Sequence, residues 1–290
     1  MKPAQFAYHD PTSVEEALDL LRRYGGEAKV LAGGQSLMPL VNFRLSRPAA
    51  LVDINRVQAL VYLREADGQL RIGALTRQRA IEFSPLVRER LPLLADATTL
   101  VGHLPIRSRG TIGGSLAHAD PSAEYPAVVT ALDGELVVRG LSGERVFRPA
   151  EFFVSYMTTA LGPEEMLVEV RLPVAPPWSG WAFEEFSRRH GDFAIVGIAA
   201  LLVAEGARCR VARLAAAGAG PTPIRLRGAE EILEGEGLSE RSIEAAAARA
   251  AELVEPDGDI HASAEYRRHL TRVLSRRALR RAAARSGEGG

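Results

Sequence analysis

The sequence predicts an α+β protein with two domains, and three observations support this prediction. Its 290 residues exceed the roughly 100 to 200 residues of a typical single domain. Runs with strand-like alternation are interspersed with runs of helical periodicity, and the sequence contains no internal repeat. Pro173, Pro176 and Pro177 then interrupt regular structure. We therefore expect one domain over residues 1–176 and a second over residues 177–290.

The first 55 residues have the pattern of a βαββ unit, which we take as a first subdomain. Apolar residues at helical spacing follow Ser13, a suitable N-cap, with Glu16 as its capping-box partner. Gly25 is suited to end this helix. Residues 28–32 and 51–54 have the composition of strands.

The remainder of the first domain, residues 56–176, mixes both kinds of element. Residues 69–72 and 135–138 are predicted as strands, and residues 80–83 and 91–100 as helical segments. This alternation is typical of an α+β fold.

The second domain is predicted to contain a pair of strands followed by two helices. The strands cover residues 194–203 and 211–217, and the helices cover residues 242–253 and 264–284. The last helix places a set of apolar residues on one face: Leu270, Val273, Leu274, Ala278 and Leu279.

Bulk composition excludes several classes of function. Lys plus Arg and Asp plus Glu both total 36, so we expect neither nucleic acid nor an anionic membrane surface as a partner. Cys209 is the only cysteine, which rules out an internal disulfide and an iron–sulfur cluster held by this chain alone. No run of ~18 uncharged apolar residues occurs, and no secretion signal is found, so we expect a cytoplasmic protein without a membrane span.

A glycine-rich loop follows the predicted strand at residues 28–32. Glycines without a Cβ let backbone amides approach a phosphate closely, and a nearby hydroxyl can add a donor. A tight turn at the end of a strand is the alternative explanation. The loop consists of Ala32, Gly33, Gly34, Gln35, Ser36 and Leu37.

A second loop of the same kind lies about 80 residues later. It contains Thr111, Ile112, Gly113, Gly114 and Ser115. Two amide-lined turns that converge would suit a dinucleotide, and a bulky residue at Gly33 or Gly114 would then be expected to meet its diphosphate.

Asp120 and Glu124 follow the second loop closely. Their carboxylates suit ribose or ribityl hydroxyls rather than phosphate, although helix capping would also explain them. Neither a Rossmann fingerprint nor a P-loop is present, so a dinucleotide site here would need another architecture.

In these motifs the sequence resembles the FAD-binding medium subunit of the molybdenum hydroxylases, the group that includes carbon monoxide dehydrogenase and bacterial xanthine dehydrogenase. The resemblance covers nearly the whole chain. Beyond the two loops, it rests on residues 6–11, Pro39, Arg44, Leu45, Asp53, Ile54, His118, Ala119, Asp120, Pro121 and residues 188–194.

This resemblance implies a two-part FAD-binding domain of the vanillyl-alcohol oxidase-like type, with a smaller C-terminal α+β domain of antiparallel sheet and helices. It implies that residues 32–37 and 111–115 bind the FAD diphosphate. Asp120 and Glu124 would approach the ribityl side, and Leu161 and Phe193 would lie near the isoalloxazine ring. The FAD is expected to be non-covalent, because Gln35 replaces the histidine to which a flavin could be attached.

Two residues depart from the family pattern. Phe193 stands where relatives often have Tyr, and a buried core aromatic is the alternative interpretation of this residue. Glu185 stands where some relatives have Lys. A carboxylate near the flavin would oppose the anionic reduced form, so the redox potential or the preferred acceptor is expected to differ.

Two further features of the sequence are candidates for a metal site and a docking surface. His103, His118 and His190 lack a metal-ligand spacing, so no metal is predicted. An arginine run near the C-terminus would be either a docking face for an acidic partner or a solvated helix face. It comprises Arg267, Arg268, Arg272, Arg276, Arg277, Arg280 and Arg281.

The resemblance implies an electron-transfer subunit without catalytic residues of its own. A 2Fe-2S small subunit would deliver electrons from a molybdopterin large subunit, and FAD here would pass them to NAD, a quinone or a cytochrome. The expected assembly is a dimer of heterotrimers, with the molybdenum cofactor and 2Fe-2S clusters only in partner subunits. The alternatives are a self-contained FAD oxidase or reductase of the same fold, and an interaction module that has lost its flavin.

Overall fold

A computed structural model describes residues 2–206 and 208–286, and its first part is a small parallel sheet with two helices. The strand order is β1-β3-β2, and both pairings are parallel. The elements are β1 (Ala7–His9), α1 (Val14–Tyr24), β2 (Ala28–Leu31), α2 (Leu37–Asn42) and β3 (Ala50–Asp53).

The ends of α1 confirm the predicted N-cap Ser13 and the terminating Gly25, but the predicted capping box of Ser13 with Glu16 does not form. The Ser13 hydroxyl accepts the Glu16 N–H at 3.1 Å, while Gly25 ends the helix in the left-handed region at φ +56°. The Glu16 carboxylate completes the cap from one residue further out, because it accepts the N–H of Thr12 at 2.8 Å.

The βαββ prediction missed one helix. The short α2 lies between β2 and β3, so the unit is βαβαβ. The six residues of α2 include Pro39 and bury only Val41, which leaves too little apolar periodicity to identify a helix from sequence.

The next part of the chain folds around a five-stranded antiparallel sheet in the order β4-β5-β10-β6-β7. Most of its helices pack on one face of that sheet in a large apolar core. In chain order the elements are β4 (Leu63–Ala66), β5 (Gln69–Gly73), α3 (Gln78–Phe83), α4 (Pro85–Arg90), α5 (Pro92–Leu100), α6 (Leu104–Arg109), α7 (Ile112–His118), α8 (Glu124–Ala131), β6 (Glu135–Gly140), β7 (Gly143–Phe147), α9 (Pro149–Phe152), β8 (Phe153–Ser155), β9 (Thr158–Thr159) and β10 (Met166–Pro173).

The C-terminal part is an antiparallel sheet covered by three helices. The strand order is β11-β12-β13-β14, and the predicted pairing of the two strands near residues 194–217 is confirmed. The elements are β11 (Ser179–Phe186), β12 (Val196–Glu205), β13 (Arg208–Ala217), β14 (Ile224–Arg225), α10 (Arg227–Glu236), α11 (Glu240–Glu252) and α12 (Ala264–Arg285).

This sheet is buried on both faces. Along β12, Ala199 and Leu201 belong to the core shared with α5 and α8, whereas Ile198, Ala200 and Leu202 belong to the core beneath α10–α12. A strand with two buried faces has no polar alternation, which explains its continuous apolar sequence. The core of the first domain therefore includes side chains from beyond the predicted division after residue 176, and that division stays a prediction.

The arginine run is neither a free docking face nor a simply solvated one. Arg267 is buried and donates to the carbonyls of Ile195 and Gly218. Others pair with acids of this chain: Arg272 and Arg276 with Glu244, Arg280 with Glu240, and Arg281 with Glu184. These intramolecular partners account for much of the positive charge.

In the described part of the chain, no helix combines the length and hydropathy that crossing a bilayer requires.

Arg225 is the clearest polar link across the interface between the two sheets. Its side chain is 10% exposed, donates to Asp133 at 2.6 Å and to the Thr130 carbonyl at 3.0 Å, and pairs with the buried Glu230. Thr130 lies on α8, whereas Arg225 and Glu230 belong to the C-terminal part.

Arg225→Ala should lower the free energy of unfolding by about 3 to 5 kcal/mol, because Glu230 would remain buried without its cation. Urea unfolding followed by circular dichroism measures this loss. Arg210→Ala is the matched control, since its pair with Glu205 is exposed and worth less than about 1 kcal/mol. Equal losses in the two variants would contradict the assignment.

Candidate functional site

The candidate site starts at the carboxyl edge of the parallel sheet. Strands β2 and β3 run in the same direction and end side by side at Leu31 and Asp53, so the segments that follow them emerge together. Ligands of open parallel sheets bind at this edge. The first glycine loop leaves β2 here, and Asn55 leaves β3.

The first loop offers unused backbone donors. Among the residues that the structure describes, none accepts a hydrogen bond from the N–H groups of Gly34, Gln35 or Ser36. Gly34 has φ +74°, a conformation that favours glycine. A run of unpaired N–H groups is the arrangement that binds an anion such as a phosphate.

The two loops are in direct contact, as the sequence predicted. A Cβ at Gly33 would lie 2.5 Å from the Arg109 carbonyl oxygen and 2.7 Å from the Gly110 Cα. Gly33 is therefore required for backbone packing against the segment that leads into the second loop. The expected clash with a diphosphate is not the reason for this glycine.

Two polar side chains that the sequence analysis missed hold the loops together. Asn55 donates to the Ala32 carbonyl at 2.8 Å and accepts from Arg77 at 2.6 Å, while Arg77 also donates to the Arg109 carbonyl. Burial, followed by the nearby charge of Arg109, lowers the pKa of Arg77. The position of Asn55 directly after a parallel strand was the available signal, but the position of Arg77 gave none.

The second loop uses its amides internally. Gly113 donates to the Ala74 carbonyl, Gly114 to the Thr111 hydroxyl and Ser115 to the Thr111 carbonyl. Thr111 is thus the N-cap of α7. The free amides that were predicted for both loops occur in the first loop only.

The second loop contributes open space instead. A Cβ at Gly114 would meet only the Thr111 hydroxyl at 2.8 Å and the Ala32 Cβ at 3.7 Å. Gly114 therefore faces the first loop across a gap with few neighbours. Ser115 is also partly exposed, so its hydroxyl can act as a donor at this gap.

Asp120 and Glu124 lie in different environments. Asp120 is half-buried and accepts the Ser122 N–H at 2.9 Å, so it caps the turn before α8. Glu124 is the first residue of α8 and only 4% exposed. Its burial, reinforced by the charges of Glu185 and Asp120, raises its pKa to about 8. Helix capping explains Asp120 in part but does not explain a buried Glu124.

Leu161 and Phe193 lie on two separate segments of the chain. The segment before Leu161 is tied to the end of α7 by a 3.2 Å hydrogen bond from the Met157 N–H to the Ala119 carbonyl. Phe193 follows Gly191, which packs on the His103 ring. The Phe193 side chain is 56% exposed, so the interpretation as a core aromatic is wrong. The approach of both residues to a flavin stays a prediction.

Glu185 lies on the side of β11 that faces the first domain. Trp181 and Phe183, at alternate positions of the same strand, pack in the core around α5 and α8. One carboxylate oxygen of Glu185 is buried without a hydrogen-bond partner among the described residues, and burial raises its pKa to about 7. A carboxyl group without a partner at this face points to a missing ligand or solvent.

Two of the three histidines that are far apart in the sequence lie close together in the structure. The rings of His103 and His190 lie 6.0 Å apart, centroid to centroid, in an edge-on arrangement. Within the described residues, no group of three His, Cys, Asp or Glu side chains is arranged to hold a metal ion.

The residues of this region suit FAD. Unused N–H groups and a hydroxyl at Ser36 match the acceptors of a diphosphate, the space at Gly114 lets it pass between the loops, and carboxyl groups behind α7 match ribityl hydroxyls.

Comparison with known proteins agrees with this geometry. Residues 4–175 match the family model described as the FAD binding domain in molybdopterin dehydrogenase, and residues 181–282 match the CO dehydrogenase flavoprotein C-terminal domain. The chain is 47% identical over 283 residues to the 6-hydroxypseudooxynicotine dehydrogenase complex subunit alpha of Paenarthrobacter nicotinovorans, an alignment that covers 97% of this chain and 96% of the relative.

Two solved structures extend the comparison to the whole fold. Carbon monoxide dehydrogenase from Hydrogenophaga pseudoflava superposes with a TM-score of 0.97 at 38% identity, covering 99% of this chain and 100% of the other. Quinoline 2-oxidoreductase from Pseudomonas putida 86 superposes with a TM-score of 0.93 at 35% identity, covering 98% and 99%. The chain therefore belongs to the family of FAD-binding medium subunits of molybdenum hydroxylases, which are components of oxidoreductase complexes.

Proposed function

We propose that this chain is the electron-transfer subunit of a molybdenum hydroxylase. Electrons enter from a partner 2Fe-2S subunit and leave to an external acceptor. The observation that carries the proposal is the open, amide-lined first loop, fixed against the second loop at the carboxyl edge of a parallel sheet. FAD bound there would supply the redox chemistry, because it exchanges electrons either singly or in pairs.

The residues of this chain would act by binding and positioning. The N–H groups of Gly34, Gln35 and Ser36 would hold the diphosphate, with Ala32, Gly33 and Leu37 shaping the loop. Thr111, Gly113, Gly114 and Ser115 would form the facing wall. Asp120 and Glu124 would bind ribityl hydroxyls, and Leu161 and Phe193 would pack on the isoalloxazine ring.

Partner subunits are supported by the relatives, because the relative at 47% identity is named as a subunit of a dehydrogenase complex. The single cysteine of this chain, Cys209, is buried in β13, and an iron–sulfur cluster requires about four such ligands. We therefore propose that a 2Fe-2S small subunit and a molybdopterin large subunit complete a cytoplasmic dimer of heterotrimers. NAD, a quinone or a cytochrome is the proposed class of acceptor.

Gly114→Leu should abolish FAD retention, because the leucine side chain would fill the gap between the loops, with only a local shift of the Thr111 hydroxyl that lies 2.8 Å from the new Cβ. Flavin absorbance after gel filtration measures retention, and circular dichroism measures folding. Gly235→Leu is the matched control, since a Cβ there meets nothing within 4 Å. A yellow Gly114→Leu protein with wild-type flavin content would contradict the placement.

Purification of the tagged chain with its untagged partners should yield flavin on this chain and both molybdenum and iron in the proteins that accompany it. Optical spectra and elemental analysis provide the readout. If the chain purifies alone, yellow and directly reduced by a small substrate, the self-contained oxidase or reductase is correct. A colourless chain that takes up no FAD would support the interaction module.

A further inference from the structure

Two carboxyl groups behind the glycine loops lack cation partners. Glu124, at the start of α8, and Glu185, on β11, form no ion pair with the described residues. Glu124 is buried, and one oxygen of Glu185 is buried without a hydrogen-bond partner among the described residues. We call these two residues the acid pair.

The fold brings the acid pair to one place. Glu185 lies opposite Gly197 in the sheet register, and Gly197 lies opposite Ala217, so its cross-strand neighbours are small, while the Phe183 ring packs over Gly197 on the same face. The Gly218 N–H then donates to the Pro121 carbonyl at 2.8 Å, which holds the turn before Glu124 against the end of β13. The charge of Glu185 accordingly raises the pKa of Glu124.

The surrounding charges do not compensate the pair. Arg107 carries a positive charge that lowers the pKa of Glu124, but its guanidinium is engaged by Glu82 at 2.9 Å and by the carbonyls of Val101 and Gly102. Asp120 adds a further negative charge.

Other charged groups on the neighbouring elements are either paired or exposed. Glu184, the neighbour of Glu185, points to the opposite face of the sheet and pairs with Arg281. Arg267 of α12 pairs with Asp259, and Asp96 of α5 pairs with Arg285. The loop after β11 exposes its charged residues to solvent: Arg188, Arg189, His190 and Asp192.

We propose that the acid pair is a proton-binding site that couples FAD binding to proton uptake at neutral pH. This inference rests on the proposed FAD site. A flavin that covers the partly buried Glu185 excludes water from a carboxyl group that has no cation and lies near the already buried Glu124, and the loss of water penalises the ionised form. A protonated carboxyl, by contrast, can donate a hydrogen bond to an acceptor on the flavin.

The pH dependence of FAD affinity follows from the difference in carboxyl pKa between the FAD-free and FAD-bound protein. Without FAD, burial sets the pKa of Glu185 at about 7 and that of Glu124 at about 8. Bound FAD raises these values, so its affinity is highest when the pair is protonated. Affinity is then constant below about pH 6 and falls as the pH rises through 7 and 8.

Titration of the FAD-free full-length chain with FAD tests this proposal. Flavin fluorescence gives the Kd between pH 6 and pH 9, and calorimetry in two buffers of different ionisation enthalpy gives the number of protons taken up. We expect the Kd to increase at least about tenfold over this range, since affinity changes tenfold per pH unit for each proton bound. Net proton uptake is expected near pH 7.5.

Glu185→Gln and Glu124→Gln keep the shape of the side chains but remove ionisation. Each should reduce the pH dependence and restore tight binding at pH 8.5. Glu184→Gln is the matched control and should behave as the wild type, because Glu184 faces Arg281.

Three outcomes would overturn the proposal. A Kd independent of pH in the wild type, with no proton uptake, refutes the coupling while the FAD site stands. A wild-type pH dependence that survives in both glutamine variants shows that other groups are responsible. If no FAD binds at any pH, the proposed function fails together with this inference.

Discussion

The close backbone contact between Gly33 and the Arg109–Gly110 segment is the constraint on which the candidate site depends. It joins the small parallel sheet to the larger antiparallel part, and a side chain at residue 33 would force the two apart. Asn55 and Arg77 reinforce the contact by binding carbonyl oxygens on both sides of it. Side chains satisfy these carbonyl oxygens. The N–H groups of Gly34, Gln35 and Ser36 are then the backbone groups of the first loop that remain without a partner among the described residues.

The two similar glycine-rich loops differ in the hydrogen bonding of their backbone N–H groups. The first loop follows a strand and has no helix geometry until Leu37, so its amides stay free. The second loop opens directly into α7, whose first turn is capped by Thr111 and whose amides bond to Ala74 and Thr111. Similar glycine-rich sequences thus give a turn with free N–H groups in one case and a packing surface with open space in the other.

Many arginines of the described residues pair with acidic residues or carbonyls of the same chain. The arginines of α12 pair with glutamates of α11 and β11 or bind carbonyls, and Arg225 pairs with Asp133 and Glu230 across the interface between the sheets. The acid pair has no such partner among the described residues, and Glu185 lies on the face of the sheet that packs in the core around α5 and α8. A buried Glu124 and a partly buried Glu185 without ion pairs favour the protonated form there.

The sequence by itself determined the α+β class, the helices α1, α11 and α12, the paired strands β12 and β13, and the two glycine loops, because each depends on local features such as periodicity, capping residues and missing Cβ atoms. It missed about half of the strands and helices, among them α2, whose six residues bury a single side chain, and α10, the first of three helices after β13 where two were predicted. It also could not distinguish which loop keeps its amides free. Only the tertiary structure decided that Gly33 packs on backbone, that Arg77 joins Asn55 to Arg109, and that Phe193 is exposed. These facts depend on contacts between residues far apart in the chain, for which a single sequence carries no distance information.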